Sequence, residues 1–215
     1  MKVFTYFHDC SIPEFPQQLI NEWGGSFRDH GFEPVILDES YAQKHSRFSE
    51  IAAAVANLPT LNSREYERAC WLRWLAYDMV APGFFTDIDI VNFNFHPVDV
   101  VTSFPMMSHF YQLSPSVVYA NSNGINYFMD QFKNADRWFD WETGKPHVSD
   151  MVVFRRTFQE RKTPFCSENY HPDAMTSPLV HFGNAGLRED LRHANRYKAI
   201  EDFRKRRNDY NGKRQ

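Results

Sequence analysis

Cysteine is scarce in this chain. Cys10, Cys70 and Cys166 are the three present, odd in number and far apart, so no disulfide framework is implied. Neither C-x-x-C nor H-E-x-x-H occurs, which argues against a structural zinc site and against a zincin. Long apolar runs are missing too: no stretch approaches the roughly 20 apolar residues that a membrane span needs. The amino terminus, MKVFTYFHDC, is interrupted by His8 and Asp9 and reads as a first strand rather than a signal peptide. A reduced, cytoplasmic protein without a transmembrane segment is expected. No internal repeat, low-complexity tract or linker interrupts the chain.

Aromatic side chains, by contrast, are abundant, at 16% with 20 Phe, 10 Tyr and 5 Trp. That supply can fill a core and still line a pocket with rings. With 215 residues the chain is long enough for one sizeable α/β domain and short for two. Its formal charge of −3 is unevenly spread: residues 1–187 hold 14 basic against 22 acidic side chains, residues 188–215 hold 10 against 5. Arg204-Lys205-Arg206-Arg207 concentrates the basic excess. Two readings of that segment stand side by side, a solvated helix end and a patch for a polyanion such as DNA or an anionic membrane.

Apolar spacing predicts strands over residues 2–7 and 33–38, near 98–103 and near 116–119, with helices over about 16–30, 43–57, 63–80, 122–133, 149–160 and 187–207. Strands alternating with helices through the first hundred residues predict a Rossmann-type, mainly parallel sheet flanked by helices. The expected organisation is a single domain over 1–203 followed by a basic tail, 204–215.

The chemistry gathers at Asp87-Ile88-Asp89, closing the run Pro82-Gly83-Phe84-Phe85-Thr86. On a strand, Asp87 and Asp89 would share one face, with Ile88 buried on the other. Two hard oxygen donors side by side suit Mn²⁺ or Mg²⁺, which binds through a few carboxylates and shares a substrate's phosphates. Open α/β sheets place ligands at the carboxyl ends of their strands. By the same rule Thr5, Tyr6 and Phe7, closing the first strand, are candidates for the nucleobase end of the pocket. Tyr6 or Phe7 would stack on the base. Trp71 and Trp74 are expected in the core, and His96 in a loop.

The run ERACWLRWLAYDMVAPGFFTDIDIV, with its opening strand, Pro, Trp23-bearing helix and GFEPVILDE, resembles the GT-A-fold, DXD-containing glycosyltransferases of capsule and glycolipid synthesis and of the large clostridial toxins. The likeness covers roughly residues 1–95. It departs from the family pattern in having Pro82-Gly83 for Gly-Gly, Phe85 for Tyr, and Ala69-Cys70 where a Ser-Asp pair would precede the matching Arg73. Arg73 also lies one residue further from the first Asp than usual, and Glu65-x-x-Arg68 is an alternative match. The resemblance implies a metal-dependent transfer of sugar from a nucleotide-sugar donor, UDP-linked and retaining, with Arg68 and Arg73 near the donor.

Two further segments gain meaning from that likeness. Val180-His181-Phe182 resembles the run that supplies a third metal ligand in several GT-A families, while a core histidine bonded to backbone is the alternative. Asp150, opening a helix beside Ser149, is either part of a cap or an acceptor-side carboxylate and base. The acceptor is expected to be a saccharide or lipid-linked saccharide, with modified bases in DNA as the alternative suggested by the basic tail. A nucleotidyltransferase and a non-catalytic nucleotide-sugar-binding protein are the competing functions. The first of these is disfavoured because no Gly-rich loop with Arg and Lys follows the first strand.

Overall fold

The computed structural model of the chain describes residues 1–7, 17–100, 107–109, 114–138, 147–158, 166–168, 172–183 and 196–213. At its centre lies a five-stranded sheet built from β1 (Lys2–Tyr6), β2 (Glu33–Leu37), β3 (Gly83–Thr86), β5 (Met107–His109) and β6 (Val117–Ala120), in the order β2-β1-β3-β6-β5. β1 pairs in parallel with both β2 and β3, whereas β6 is antiparallel to β3 and to β5. Four strands therefore share one direction and β6 opposes them. A smaller sheet, β4-β8-β7, is formed by β4 (Ile90–Asn92), β7 (Cys166–Glu168) and β8 (Leu179–His181). The mixed α/β architecture with flanking helices agrees with the Rossmann-type expectation.

Alternation along the central strands explains why they are apolar almost throughout. Val3, Phe84 and Val117 face one core, while their neighbours Phe4, Phe85 and Val118 face another. A sheet covered on both faces needs apolar residues at both parities. The first core is closed by α1 (Gln17–Arg28), by the small sheet and by α7 (Arg196–Gly212). α1 contributes Leu19, Trp23 and Phe27 at helical spacing, and its Trp23 indole donates to Thr86 Oγ1 at 2.8 Å. After α1 the chain turns at Gly31, whose φ of 84° lies where a side chain would be strained.

The second core lies under α2 (Glu39–Gln43), α3 (Phe48–Val55), α4 (Arg64–Asp78), α5 (Ser122–Met129) and α6 (Asp150–Thr157). α4 starts at the N-cap Ser63, whose hydroxyl accepts from Tyr66 N, with Glu65 and Glu67 in its first turn. From Trp71 to Tyr77 every residue of α4 is buried, Trp71 and Trp74 included, so this helix is wrapped on all sides. Around its end, Asp78 accepts from His45 and Asn126, and Arg47 bridges to Asn126 and Asp130. These bonds tie the α2–α3 connection to α5.

Three expectations change. Residues 97–99 form a single 3₁₀ turn rather than the start of a strand, and 101–103 lie outside the described residues. The last helix runs over Arg196–Gly212, with 187–195 outside the described residues. Thus Arg204–Arg207 belong to a docked helix, not a detached tail. Arg204 pairs with the half-buried Glu22, and Arg207 lies over the Phe93 ring and donates to the carbonyls of Ala174 and Ser177.

Candidate metal centre

The third change concerns the two acidic residues themselves. β3 ends at Thr86; Asp87 N still donates to Ser116 O of the neighbouring strand segment, and then Ile90 N donates to Asp87 O, closing a turn. Asp87-Ile88-Asp89 is therefore not strand but the corner at which the chain leaves the large sheet and enters the small one. Asp at the first position of such a turn is favoured because its side chain competes locally with backbone acceptors. Ile88 is buried in the first core, as alternation had suggested. Both carboxylates face one site for a different reason than strand geometry.

The small sheet supplies the third donor. β4 and β8 pair antiparallel with Ile90 opposite His181, and Phe182 N donates to Asp89 O. That register sets the imidazole beside the corner. One ligand atom each from Asp87, Asp89 and His181 lies within 4.8 Å of the other two. An octahedral Mg²⁺ or Mn²⁺ with ligands near 2.1 Å sets neighbouring donors ~3 Å apart, so rotamer-scale closure completes the set. The donor chemistry fits: two hard oxygens and an imidazole nitrogen suit Mn²⁺ or Mg²⁺. Asp89 Oδ1 is buried, and its near neighbour is His181 Nε2 at 3.3 Å. A cation there would be shared by this oxygen and the imidazole nitrogen beside it.

Gly183 makes room for the ring. A Cβ at this position would lie 2.6 Å from His181 Cε1 and 2.9 Å from Nε2, so any side chain would push the imidazole away.

Two arginines complete the electrostatics. Arg73, buried on α4, donates through Nη1 to Asp87 Oδ1 at 2.5 Å and through Nε and Nη2 to Asp150 Oδ2 at 3.0 and 2.6 Å. The Trp74 indole donates to the same Asp150 oxygen at 3.0 Å. Burial pushes the Asp150 carboxyl up, against the pull of Arg73 and Trp74. Asp150 is thus an anchor behind Arg73; the cap of its helix is the Ser149 hydroxyl, which accepts from Val152 N. On the other side, Arg196 at the start of α7 donates through Nη1 to Asp89 Oδ2 at 2.9 Å. Burial raises Asp89, but His181 and Arg196 outweigh it and hold this carboxyl below the usual range. With His181 neutral, three carboxylates against two guanidiniums leave the cluster one negative charge in excess, to which a divalent cation is attracted.

The candidate nucleobase residues separate. Thr5 is fully buried, and its Oγ1 has no hydrogen-bond partner among the described residues. Tyr6 and Phe7 are half-buried and pack against opposite cores, as residues of opposite parity must. Tyr6 is on the α4 side, where its backbone hydrogen-bonds the Tyr77 hydroxyl. Arg68 donates to Glu39 at 2.7 Å. Tyr6 and Arg68 therefore share the side of the sheet that carries Arg73, and Phe7 does not. His96 sits in a loop at 5.3 Å from the His30 ring, apart from the cluster.

Arg196 and Glu67 went unremarked in the sequence as site residues. Glu67 is buried on α4, accepts from Thr60 and Asn62, and has its pKa raised to about 7, chiefly by burial. Glu67 lies in the first turn of α4, beside exposed residues, so nothing local marks its burial, and nothing local marks Arg196.

The fold and the cluster define a mixed α/β protein with an Asp-Asp-His centre able to hold a metal ion. No protein-family model matches the chain, and a search of curated proteins finds no match. Among the described residues, no helix is long and apolar enough to cross a membrane.

Proposed function

We propose that this protein is a GT-A-type, metal-dependent glycosyltransferase, moving a sugar from a nucleotide-sugar donor, a UDP-sugar, to a hydroxyl of a saccharide or lipid-linked saccharide. The observation that carries the reading is the convergence of Asp87, Asp89 and His181 at the carboxyl end of β3. This is where an α/β sheet receives ligands, and Tyr6 closes the adjacent parallel strand. Asp87, Asp89 and His181 would hold Mn²⁺ or Mg²⁺. When bound, that ion supplies Lewis-acid neutralisation of the diphosphate leaving group.

The chain's own residues do the rest. Arg73, fixed from behind by Asp150 and Trp74, holds Asp87 beside Asp89 and His181. Tyr6 and Arg68 offer a ring and a cation for the nucleoside end of the donor. Asp150 does not serve as a free base in this arrangement, because its Oδ2 accepts from Arg73 and Trp74 at once. Retention of configuration, which needs no separate protein base, follows more naturally than inversion.

One observation favours a second reading. Asp87 and Asp89 each already have an arginine partner, the arrangement expected of a transferase scaffold that binds a nucleotide sugar without turnover. A panel of nucleoside diphosphates and nucleotide sugars, screened by thermal shift with and without Mn²⁺, tests the donor class. Hydrolysis of a UDP-sugar that requires Mn²⁺ separates the enzyme from the binding protein. If no uridine nucleotide raises the melting temperature with or without Mn²⁺, the proposal is wrong.

A further inference from the structure

The face of α4 that carries Arg73 continues toward solvent. Tyr77, Arg73, Cys70 and Tyr66 follow one another along it at helical spacing, three or four residues apart. Exposure rises in that order: Tyr77 and Arg73 are buried, Cys70 is half-buried and Tyr66 is 45% exposed. Resting on the reading of the Asp87–Asp89–His181 cluster as a metal–diphosphate site, we infer that Tyr66 is the platform for the sugar ring of the nucleotide-sugar donor. It would thereby set the protein's preference for a sugar nucleotide over the bare nucleotide.

Direction is the first ground. Tyr66 lies two turns, about 10 Å, before Arg73 on the helix. Helical side chains lean toward the N-terminus, so the Arg73 guanidinium and the Asp87 carboxylate bonded to it are carried toward Tyr66. Access is the second. Asp87 is the most open of the three candidate ligands, its side chain 27% exposed against 14% for His181 and 11% for Asp89. A ligand therefore meets the ion from the side that Asp87, Arg73 and Tyr66 share. Electrostatics agree: Cys70 beside it, partial burial, and the Asp87 and Asp89 carboxylates all push the Tyr66 hydroxyl up, so it stays a proton donor at the edge of the same cluster. Nor does the fold use this side chain. Tyr66 N donates to the Ser63 cap, but the ring belongs to neither core, and among the described residues its hydroxyl makes no hydrogen bond. Of the other aromatic residues on α4, Trp71, Trp74 and Tyr77 are all buried. The chemistry fits a sugar. A pyranose has an apolar face of C–H bonds and a rim of hydroxyls, and tyrosine has an apolar ring with a polar tip. In a nucleotide sugar the pyranose is joined to the terminal phosphate, which places it next to the ion that holds the diphosphate.

Calorimetry at saturating Mn²⁺ compares UDP with UDP-glucose, UDP-galactose and UDP-N-acetylglucosamine. The sugar nucleotide that wild type binds most tightly is the probe. Tyr66→Ala should bind that probe on the order of tenfold more weakly, and UDP as wild type does. Tyr66→Phe keeps the ring and loses the hydroxyl, so it should fall between, about threefold weaker than wild type. Mn²⁺ affinity, read by EPR of the free ion, should be the same in all three proteins. Should Tyr66→Ala fold poorly, Tyr66→Leu keeps apolar bulk without a ring face and makes the same comparison. A merely structural role would move UDP and the sugar nucleotide together. Equal weakening of both, or a probe affinity that Tyr66→Ala leaves unchanged, overturns the inference and leaves the transferase proposal standing. Selective loss in a protein that turns over no UDP-sugar keeps the inference and sinks the transferase in favour of a nucleotide-sugar-binding protein. A wild type that binds neither UDP nor any of the UDP-sugars in Mn²⁺ sinks both.

Discussion

Glu67→Gln should convert a pH-dependent stability into a flat one. Glu67 is 4% exposed, its Oε2 accepts from Thr60 and Asn62, and its Oε1 has no partner. Burial is the main cause of its raised pKa of about 7, against an ordinary value of 4.5. Below pH 4.5 the group is protonated in both folded and unfolded chains and costs nothing. As pH rises from 4.5 to 7 the unfolded chain ionises first, so stability falls; above 7 both states are ionised and the loss is complete. At ~1.4 kcal/mol per pKa unit, a shift of this size is worth about 3 kcal/mol. Glutamine mimics the protonated acid and keeps an acceptor for Thr60 and Asn62. Its amide nitrogen faces the position of Oε1, which costs about 1 kcal/mol at every pH. The shape of the difference curve, not its offset, is therefore diagnostic. Urea denaturation of both proteins from pH 4.5 to 8.5 should show the variant gaining about 3 kcal/mol on wild type across that range. Parallel curves would refute the burial argument.

Four other outcomes follow from the centre. Asp89→Asn should abolish Mn²⁺-dependent protection by UDP in a thermal shift assay while the chain stays folded; undiminished nucleotide binding would mean that the site is misplaced. Gly183→Ala should weaken Mn²⁺ binding by on the order of tenfold through displacement of His181, with little loss of stability, read by EPR of the free ion. Asp150→Asn leaves Arg73 underpaired in a buried site and should cost about 3 kcal/mol in urea denaturation, the usual consequence of breaking a buried ion pair. Duplex DNA binding, if α7 provides it, should fall with salt at a log–log slope of about −0.9 for each phosphate contacted. Because Arg204 and Arg207 are engaged within the protein, a slope no steeper than about −2 is expected, and no binding at low ionic strength removes DNA as a partner.

Much of the scaffold was legible in local pattern. β1, β2, α1 and α4 follow from alternation, helical spacing and the Ser63 cap, signals confined to a few neighbouring residues. Trp71 and Trp74 were readable as core for the same reason. The acidic pair and its suitability for a hard cation were also legible, since donor type is a property of the residue. What the pattern misjudged was its setting. Asp87 and Asp89 meet because a turn closes between Asp87 and Ile90, not because a strand continues, and a β-prone run does not reveal where its own pairing stops.

The sequence by itself determined the order of the early elements and the presence of two carboxylates one residue apart, donors that suit a hard cation. The tertiary structure alone decided who meets them. His181 reaches Asp89 through the β4–β8 register, Asp150 reaches Arg73 across the α4–α6 contact, and Arg196 reaches Asp89 from the far end of the chain. Each of these partners lies on an element remote in sequence. Such contacts are set by how whole faces bury against one another, a balance summed over the entire core, and no short stretch of sequence contains that sum.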